Sequence, residues 1–290
     1  MPDTSRPEYP RPGLSILVTG ATGSLGPEIV DRLLARGAHV RRLVRRPVEP
    51  LPGVESVVGD LTDRAAVRAA LVGVDAVVLM WPLLDAAPAR PIVTELAEAA
   101  PRVLYVSSTA VDDRAVGQSD PIVQTHADME ALLRDGGLRP VVLRSDTLAA
   151  NVRGWAAQLR AGDVVAGPDI ARTAVVDERD VADAVTAALD AGPERGPYLL
   201  TGPEPLSRAD LVARLGVALG RPLRFAAVPA ESARARMLAD GRPRTLVDAL
   251  VSASLYRPES TLVTDHVRRL TGRAAGTFAG WAADHAALFR

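Results

Sequence analysis

Apolar and polar positions alternate in blocks along the first 150 residues and predict strands and helices in turn. Short continuous apolar runs predict buried strands at 14–19, 40–44, 54–58, 75–80, 102–107 and 141–144. Between these strands, apolar residues recur at helical spacing over 25–36, 63–71, 92–100 and 122–134. Continuous apolar strands that alternate with helices indicate a parallel sheet covered on both faces. We therefore predict an α/β fold with a doubly wound parallel sheet of the Rossmann type.

Beyond residue 150 the pattern is less regular and predicts a smaller α/β lobe. Strands are expected at 173–176, 198–201 and 223–228, and helices at 155–160, 178–189, 208–219, 232–238, 245–255, 262–270 and 278–288. We predict a Rossmann domain over 14–150 and a substrate-binding lobe over 151–290, with 173–201 returning to the Rossmann core. Residues 1–13 are rich in proline and polar side chains and are expected to form a flexible tail.

Composition excludes several classes of partner and chemistry. The chain has 290 residues with 34 basic and 35 acidic side chains, so no basic surplus attracts nucleic acid. There is no cysteine, which removes disulfides, thiolate metal sites and a cysteine nucleophile, and the histidines are too scattered to indicate a metal site. No apolar run is long enough to span a bilayer, and no signal-peptide pattern precedes the first strand. We expect a cytoplasmic protein with neither a membrane nor a nucleic acid partner.

The absence of lysine bears most directly on mechanism. Every one of the 34 basic residues is arginine. Any mechanism that needs a lysine ammonium group, a Schiff base or a P-loop lysine is therefore excluded.

The turn after the first predicted strand indicates a phosphate-binding site. Gly20 allows a tight turn, Gly23 lets a diphosphate approach the backbone, and Gly26 lets the following helix pack closely on the strand. The N–H groups and dipole at the N-terminus of that helix attract the anion. The residues expected to contact the cofactor are Gly20, Thr22, Gly23, Ser24, Leu25 and Gly26.

The end of the second predicted strand indicates which dinucleotide binds. No carboxylate lies there to hold the ribose of NAD; instead Arg45 and Arg46 follow the strand. A guanidinium group can hold a 2′-phosphate, so NADP(H) is the expected cofactor, with Arg45 as the main contact. Asp60 and Leu61, after the third strand, are expected at the adenine, although Asp60 could instead cap the next helix.

Several segments together resemble the short-chain dehydrogenase/reductase superfamily, and in particular its atypical NmrA-like branch. They are LVTGATGSLG at 17–26, Arg45, GDL at 59–61, YVSSTA at 105–110, HADME at 126–130, VVLR at 141–144, Asn151, and the later runs 176–182 and 198–202. The sixth strand of that branch usually reads Leu-Arg-Pro, whereas Ser145 follows Arg144 in this chain. The resemblance implies a nicotinamide-dependent oxidoreductase, with Ser107 and Trp81 also close to the cofactor.

The superfamily uses a Ser or Thr, a Tyr, and a Lys four residues after the Tyr, and this set is incomplete. The tyrosines are Tyr9, Tyr105, Tyr198 and Tyr256, and none lies on the helix after the fifth strand. The resemblance places Thr109, with Ser108 beside it, at the Ser/Thr position. His126 stands where the tyrosine would be, followed at helical spacing by Glu130. His126 could be an acid–base group oriented by Glu130, a polar wall of the pocket, or a solvated helix residue.

The expected substrate is bulky, flat and apolar. Residues at the predicted carboxyl edge of the sheet and just after the sixth strand would line its pocket: Trp81, His126, Met129, Asn151 and Trp155. The chain resembles reductases of aromatic polyketides that lack the Tyr-Lys pair, which implies an NADPH-dependent ketoreductase. The proton could come from Thr109 or Ser108, from His126, or from a phenol of the substrate. The alternatives are a non-catalytic NADP(H) sensor and a quinone or azo reductase.

Overall fold

The computed structural model describes residues 13–99, 101–191 and 197–290, and all but Gly13 of the predicted tail lies outside these ranges. Nine strands occur in the described residues: β1 (Ser15–Val18), β2 (His39–Val44), β3 (Val54–Val58), β4 (Ala76–Leu79), β5 (Arg102–Ser108), β6 (Val141–Ser145), β7 (Val164–Gly167), β8 (Tyr198–Leu200) and β9 (Arg224–Ala227). Seven of them form one sheet in the order β3-β2-β1-β4-β5-β6-β8, and β7 and β9 form a second. The predicted Rossmann-type sheet is confirmed, since the first six strands follow the order of that fold.

Eleven α-helices occur in the described residues. They are α1 (Gly26–Ala35), α2 (Arg64–Ala70), α3 (Arg90–Ala99), α4 (Pro121–Asp135), α5 (Ala156–Ala161), α6 (Glu178–Ala188), α7 (Arg208–Leu219), α8 (Ala230–Ala239), α9 (Arg244–Tyr256), α10 (His266–Thr271) and α11 (Phe278–Asp284). None of the described helices is both long and apolar enough to cross a membrane.

The chain divides into two compact units. The first contains the described residues up to Ser107 together with Met129–Arg144 and Val181–Tyr198, and the second contains Ser108–Asp128, Ser145–Asp180 and Leu199–Arg290. The sequence pattern predicts 108–128 and 145–150 as parts of the Rossmann domain, whereas this division groups them with the second unit. The local hydrophobic pattern predicts the order of strands and helices. The division of these elements into two compact units depends on contacts between residues far apart in the chain.

Each unit has its own hydrophobic core. The core of the first unit includes Leu17, Val77 and Tyr105 on neighbouring strands, with Ile92 and Leu133 from helices packed against them. The core of the second unit includes Leu159, Leu211, Leu215, Trp281 and Phe289. Burial of these apolar side chains is the dominant favourable contribution to the stability of each unit.

Some predicted elements in the second unit are wrong. The segment 173–176 is not a strand and forms only isolated bridges, one between Leu148 and Val176 and one between Thr173 and Leu206. The strand that the sequence analysis missed, β7, pairs in parallel with β9. The helix predicted over 262–270 begins only at His266, and the one predicted over 278–288 ends at Asp284 before a 3₁₀ turn.

Candidate active site

The turn between β1 and α1 has the backbone geometry that its glycines predict. Gly20 has a φ of +63°, and the Gly23 N–H donates to the Gly20 carbonyl at 3.0 Å. A Cβ on Gly26 would lie 2.3 Å from the Gly20 oxygen, so no larger residue fits there. Thr22, Gly23 and Ser24 are exposed on the turn, whereas Leu25 and Gly26 are buried beneath it.

The N-terminus of α1 carries backbone donors that no side chain caps. Its N-cap residue is Leu25, which has no side-chain acceptor, and a proline occupies the first helical turn. The acidic residue of that turn, Glu28, is paired with Arg32, with 2.7 Å between Oε2 and Nη1. Free N–H groups and the positive end of the helix dipole are what a diphosphate requires. The turn therefore fits the phosphates of a dinucleotide.

Two exposed arginines follow β2, as expected for binding of a 2′-phosphate. Within the described residues, neither Arg45 nor Arg46 forms a salt bridge. Asp60 accepts hydrogen bonds from the backbone and the hydroxyl of Thr62 at 2.8 and 2.7 Å. These bonds lower the pKa of Asp60, and the positive charge of Arg45 lowers it further. The two residues follow paired strands, since Val44 lies opposite Val58 and the Gly59 N–H donates to the Val44 carbonyl at 2.9 Å.

The suggestion that Asp60 caps the next helix is wrong. The residue that caps α2 is Asp63, whose carboxylate accepts from the backbone N–H groups of Ala65 and Ala66. Asp60 instead closes a short turn with Thr62, and Leu61 between them is buried.

Three predicted binding residues lie in the interior of the first unit. Trp81 is 8% exposed, and its indole N–H donates to the Asp85 carbonyl at 2.9 Å. Met129 is 1% exposed and belongs to the same hydrophobic core. Ser107 is buried, and its hydroxyl donates to Glu130 at 2.6 Å. These side chains pack against protein in the structure. Their contact with cofactor or substrate stays a prediction.

Glu130 belongs to a buried ion-pair cluster. Arg144 donates to both of its oxygens, from Nε at 2.9 Å and from a terminal nitrogen at 2.8 Å, and Arg134 approaches at 3.4 Å. Burial alone would raise the pKa of Glu130, but the hydrogen bonds from Arg144 and Ser107 outweigh it and lower the pKa. Because each oxygen already accepts two donors, the acceptor capacity of the carboxylate is used. Glu130 therefore has a structural role, and the suggestion that it orients His126 stays a prediction.

The remaining predicted residues lie in the second unit. Ser108, Thr109 and His126 are half-buried, with His126 on α4. Asn151 is exposed, and Trp155 packs partly against the core of the second unit at the end of the 3₁₀ segment Ala149–Trp155. Contact of these five residues with substrate or cofactor stays a prediction.

Thr109 is joined to a carboxyl group that the sequence analysis did not select. Its hydroxyl lies 3.1 Å from Oδ2 of Asp146, and its backbone N–H donates to the Ser145 carbonyl at 3.1 Å. The other oxygen of Asp146 accepts from the Thr147 N–H at 2.6 Å and from the hydroxyl of Thr173. One signal could have identified Asp146 as a candidate. It is a carboxylate directly after the buried strand β6, and β6 lies next in the sheet to β5, the strand that precedes Thr109.

Burial raises the pKa of Asp146 to about 6, although hydrogen bonds from Thr147 and Thr109 and the charge of Arg257 lower it. Arg257 is itself engaged, because Nε and a terminal nitrogen both lie 2.9 Å from oxygens of Asp120. Burial alone would raise the pKa of Asp120, but Arg257 lowers it overall. Asp120 is therefore an anion matched by Arg257, and Asp146 is a buried acid that titrates close to neutral pH.

The described tyrosines do not replace the missing acid of the superfamily. Tyr105 is fully buried in the core of the first unit, where burial and the charge of Glu130 raise the pKa of its phenol. Tyr198 is half-buried on β8, and Tyr256 is exposed at the end of α9. A general acid must therefore be sought among other groups.

A cavity of about 280 Å³ in the first unit lies away from these residues. Its lining includes Leu14, Asp75 and Arg102, which precede or begin β1, β4 and β5. This is the amino edge of the sheet, whereas ligands of open α/β sheets bind at the carboxyl edge. The cavity is therefore not the candidate active site.

The glycine turn, the uncapped helix and the strand order define a dinucleotide-binding protein of the Rossmann type. The chain belongs to the NAD(P)H-binding family, whose sequence profile matches residues 20–192. It is 38% identical to (4-alkanoyl-5-oxo-2,5-dihydrofuran-3-yl)methyl phosphate reductase of Streptomyces griseus, over 94% of this chain and 99% of that protein. It is 32% identical to NAD(P)H azoreductase of Xenophilus azovorans, again over 94% and 99% of the two chains.

The fold also matches solved structures of nicotinamide-dependent enzymes. The NADPH-dependent quinone oxidoreductase of Escherichia coli, solved with NADPH, aligns with a TM-score of 0.76 at 23% identity and covers 93% of this chain and 99% of its own. The family membership and the named relatives make the protein an NAD(P)H-dependent reductase, as the resemblance to the NmrA-like branch implied.

Proposed function

We propose that the protein is an NADPH-dependent reductase of a bulky conjugated carbonyl compound, with an aromatic, polyketide-like ketone as the first candidate. One observation supports the preference for NADPH over NADH. Arg45 and Arg46 at the end of β2 are exposed, and neither forms an ion pair within the described residues. A planar guanidinium group binds a phosphate dianion through two parallel hydrogen bonds. Bound NADPH supplies a hydride, and the protein positions the acceptor and manages the proton.

The incomplete catalytic set supports a conjugated substrate. The chain has no lysine, and Tyr105 is buried in the core of the first unit. Hydride addition to an isolated ketone leaves a strongly basic alkoxide, which requires an efficient acid. In a quinone or an enone, the negative charge spreads over the conjugated system and needs only a weaker donor. In a hydroxyaryl ketone, the phenol beside the carbonyl can donate its own proton to the alkoxide. The named relatives support this choice, since the dihydrofuranone and azo compounds in their names are conjugated acceptors.

Consumption of NADPH by the purified protein tests this function. The acceptors are a polycyclic hydroxyaryl ketone, a simple quinone, an azo dye and a dihydrofuranone phosphate, with products identified by mass spectrometry. A gain of two hydrogens on the polycyclic ketone, faster with NADPH than with NADH, is the expected result. Turnover of the quinone alone would replace the aromatic ketone with the quinone as substrate.

A non-catalytic NADP(H) sensor is the alternative that the same assay separates. Tight NADPH binding without turnover of any acceptor would contradict a reductase. A sensor must also bind one redox form more tightly than the other, because only differential affinity can shift its conformation. Equal dissociation constants for NADP⁺ and NADPH would exclude that alternative.

A further inference from the structure

We propose that Asp146 holds the proton for the reduction and passes it to the substrate through the hydroxyl of Thr109. This inference rests on the proposed reductase function. Thr109 is then the catalytic residue that contacts the reacting oxygen, and Asp146 is a positioning and proton-holding residue behind it.

The main chain fixes the two groups beside each other. Thr109 directly follows β5 and Asp146 directly follows β6, and these strands are neighbours in the sheet. The Thr109 N–H donates to the Ser145 carbonyl, and the Asp146 N–H donates to the Leu200 carbonyl at 2.9 Å. Both residues therefore leave their strands with the backbone already hydrogen-bonded. Thr109 Oγ1 and Asp146 Oδ2 lie 3.1 Å apart with the hydroxyl donating, so a proton transfer from Oδ2 to Thr109 needs only rotation of that hydroxyl.

The two oxygens of Asp146 have different surroundings, which identifies the one that carries the proton. Oδ1 accepts hydrogen bonds from the Thr147 N–H and from the Thr173 hydroxyl. Both bonds favour an unprotonated Oδ1. Oδ2 is the oxygen that meets Thr109. A hydroxyl group can accept one hydrogen bond while it donates another, so Thr109 can receive a proton from Oδ2 and release its own.

The charges around Asp146 allow the protonated form up to about pH 6. The Asp146 side chain is buried, and this burial raises its pKa. The groups that face it are Thr109 after β5, Thr147 after β6, and Thr173 and the Ala174 N–H from the following loop. The nearby cation, Arg257 after α9, is bound in bidentate geometry by Asp120 at the start of α4, so Asp146 is not required as its counter-ion.

The proton balance of the reaction closes with these groups. Hydride addition to the conjugated acceptor reduces it by two electrons and leaves a negative charge on its oxygen. The Thr109 O–H bond breaks as a proton moves to that oxygen, and the Asp146 Oδ2–H bond breaks as its proton moves to Thr109. Asp146 is left as a carboxylate and takes a proton from water before the next turnover. One NADPH and one proton are consumed for each acceptor.

The first test compares variants in the full-length protein. We expect Asp146→Asn and Thr109→Val to lower kcat by about 10²-fold or more, the usual contribution of a general acid, with the KM for NADPH unchanged. Thr109→Ser keeps the hydroxyl and should retain most of the activity. Asp180→Asn is the matched control: Asp180 is also a buried carboxyl of the second unit with a raised pKa, but it pairs with Arg273 and Gly276. It should keep the wild-type rate.

The second test separates a proton-holding role from a structural one. In wild type, kcat should fall as the pH rises above about 6, because the protonated form of Asp146 is the active one. This limb should be missing in Asp146→Asn and unchanged in Asp180→Asn. An identical pH profile in wild type and Asp146→Asn, or equal rates for Thr109→Val and Thr109→Ser, would overturn the inference.

A readout without substrate keeps the inference separate from the proposed function. Infrared difference spectra of cofactor-free wild type against Asp146→Asn, recorded from pH 4 to pH 8, should show a protonated carboxyl band that disappears around pH 6. A carboxyl that is fully ionised at pH 5 would contradict the stored proton even if the enzyme is active. Absence of turnover in wild type, with this band present, would instead contradict the reductase function alone.

Discussion

At the scale of single residues, the close approach of β1 and α1 depends most directly on Gly26. A Cβ there would lie 2.3 Å from the Gly20 oxygen and 2.5 Å from the Ala21 Cα, and both atoms belong to the backbone. We expect Gly26→Ala to lower the free energy of unfolding by about 2 kcal/mol, the usual effect of overpacking, and to weaken NADPH binding. Thermal denaturation and fluorescence titration measure the two effects. Gly117→Ala, whose Cβ would meet no atom within 4 Å, should change neither.

Arg45 determines the discrimination between the two nicotinamide dinucleotides if the proposed cofactor preference is right. We expect Arg45→Gln to raise the KM for NADPH by about tenfold to 100-fold, which corresponds to one lost charge-assisted hydrogen bond. The KM for NADH should stay within about twofold, since NADH has no 2′-phosphate. Steady-state kinetics with both cofactors check this. Arg139→Gln, at an exposed arginine of the same unit that precedes β6, is the control; an equal loss with both cofactors would contradict the role of Arg45.

Single residues also mark the limit of prediction from sequence. The glycine turn could be predicted because Gly20, Gly23 and Gly26 act through backbone geometry within seven positions of the chain. The burial of Trp81 and Met129 could not be predicted, since a strand end or helix face shows position along an element but not which neighbour covers it. Asp146 was missed because its partners Thr109 and Thr173 are 37 and 27 positions away.

At the scale of secondary-structure elements, the Glu130–Arg144 pair ties α4 to β6. Both side chains are buried, at 2% and 5% exposure. Removal of one partner leaves an uncompensated buried charge, so we expect Arg144→Met to lower the free energy of unfolding by about 3 kcal/mol. Arg134→Met provides a control on the same carboxylate, because Arg134 is 55% exposed and should contribute less than about 1 kcal/mol. Urea denaturation of the two variants measures the difference; equal losses would contradict the structural role.

Elements with their own local signals were predicted well. The helix expected over 208–219 has those bounds, because Ser207 and Asp210 form a reciprocal capping box and Gly220 ends it in a left-handed conformation. Strand predictions from local sequence were wrong where a strand depends on a pairing partner elsewhere in the chain. The segment 173–176 contains three β-branched residues and has strand propensity, but it forms only isolated bridges. The strand β7 is only four residues long and is specified by its partner β9, sixty positions later.

At the scale of the whole molecule, the buried carboxyl group of Asp146 lowers the stability of the folded protein when it ionises. In the unfolded chain its pKa is close to 3.8, whereas in the folded protein burial raises the pKa to about 6. Well below pH 3.8 both states are protonated and the group has no unfavourable effect. As the pH rises from about 4 to about 6, the unfolded state loses the proton first, so the folded state is destabilised. Above that range the loss is complete, at up to about 3 kcal/mol for a shift of about two pKa units.

Comparison of wild type with Asp146→Asn isolates this contribution, because every other titrating group is present in both proteins. We compare the free energy of unfolding of the variant with that of wild type at each pH. We expect this difference to increase in favour of the variant by up to about 3 kcal/mol between pH 4 and pH 6.5. A constant offset from the amide does not affect this change. Chemical denaturation at several pH values measures it. Asp120→Asn should give the opposite slope, but only below about pH 4, since Arg257 lowers the pKa of Asp120 from its ordinary value of 3.8 and Asp120 is ionised in both states above that range. A pH-independent difference between wild type and Asp146→Asn would mean that the carboxyl ionises equally easily in both states, and that no proton is held beside Thr109 near neutral pH.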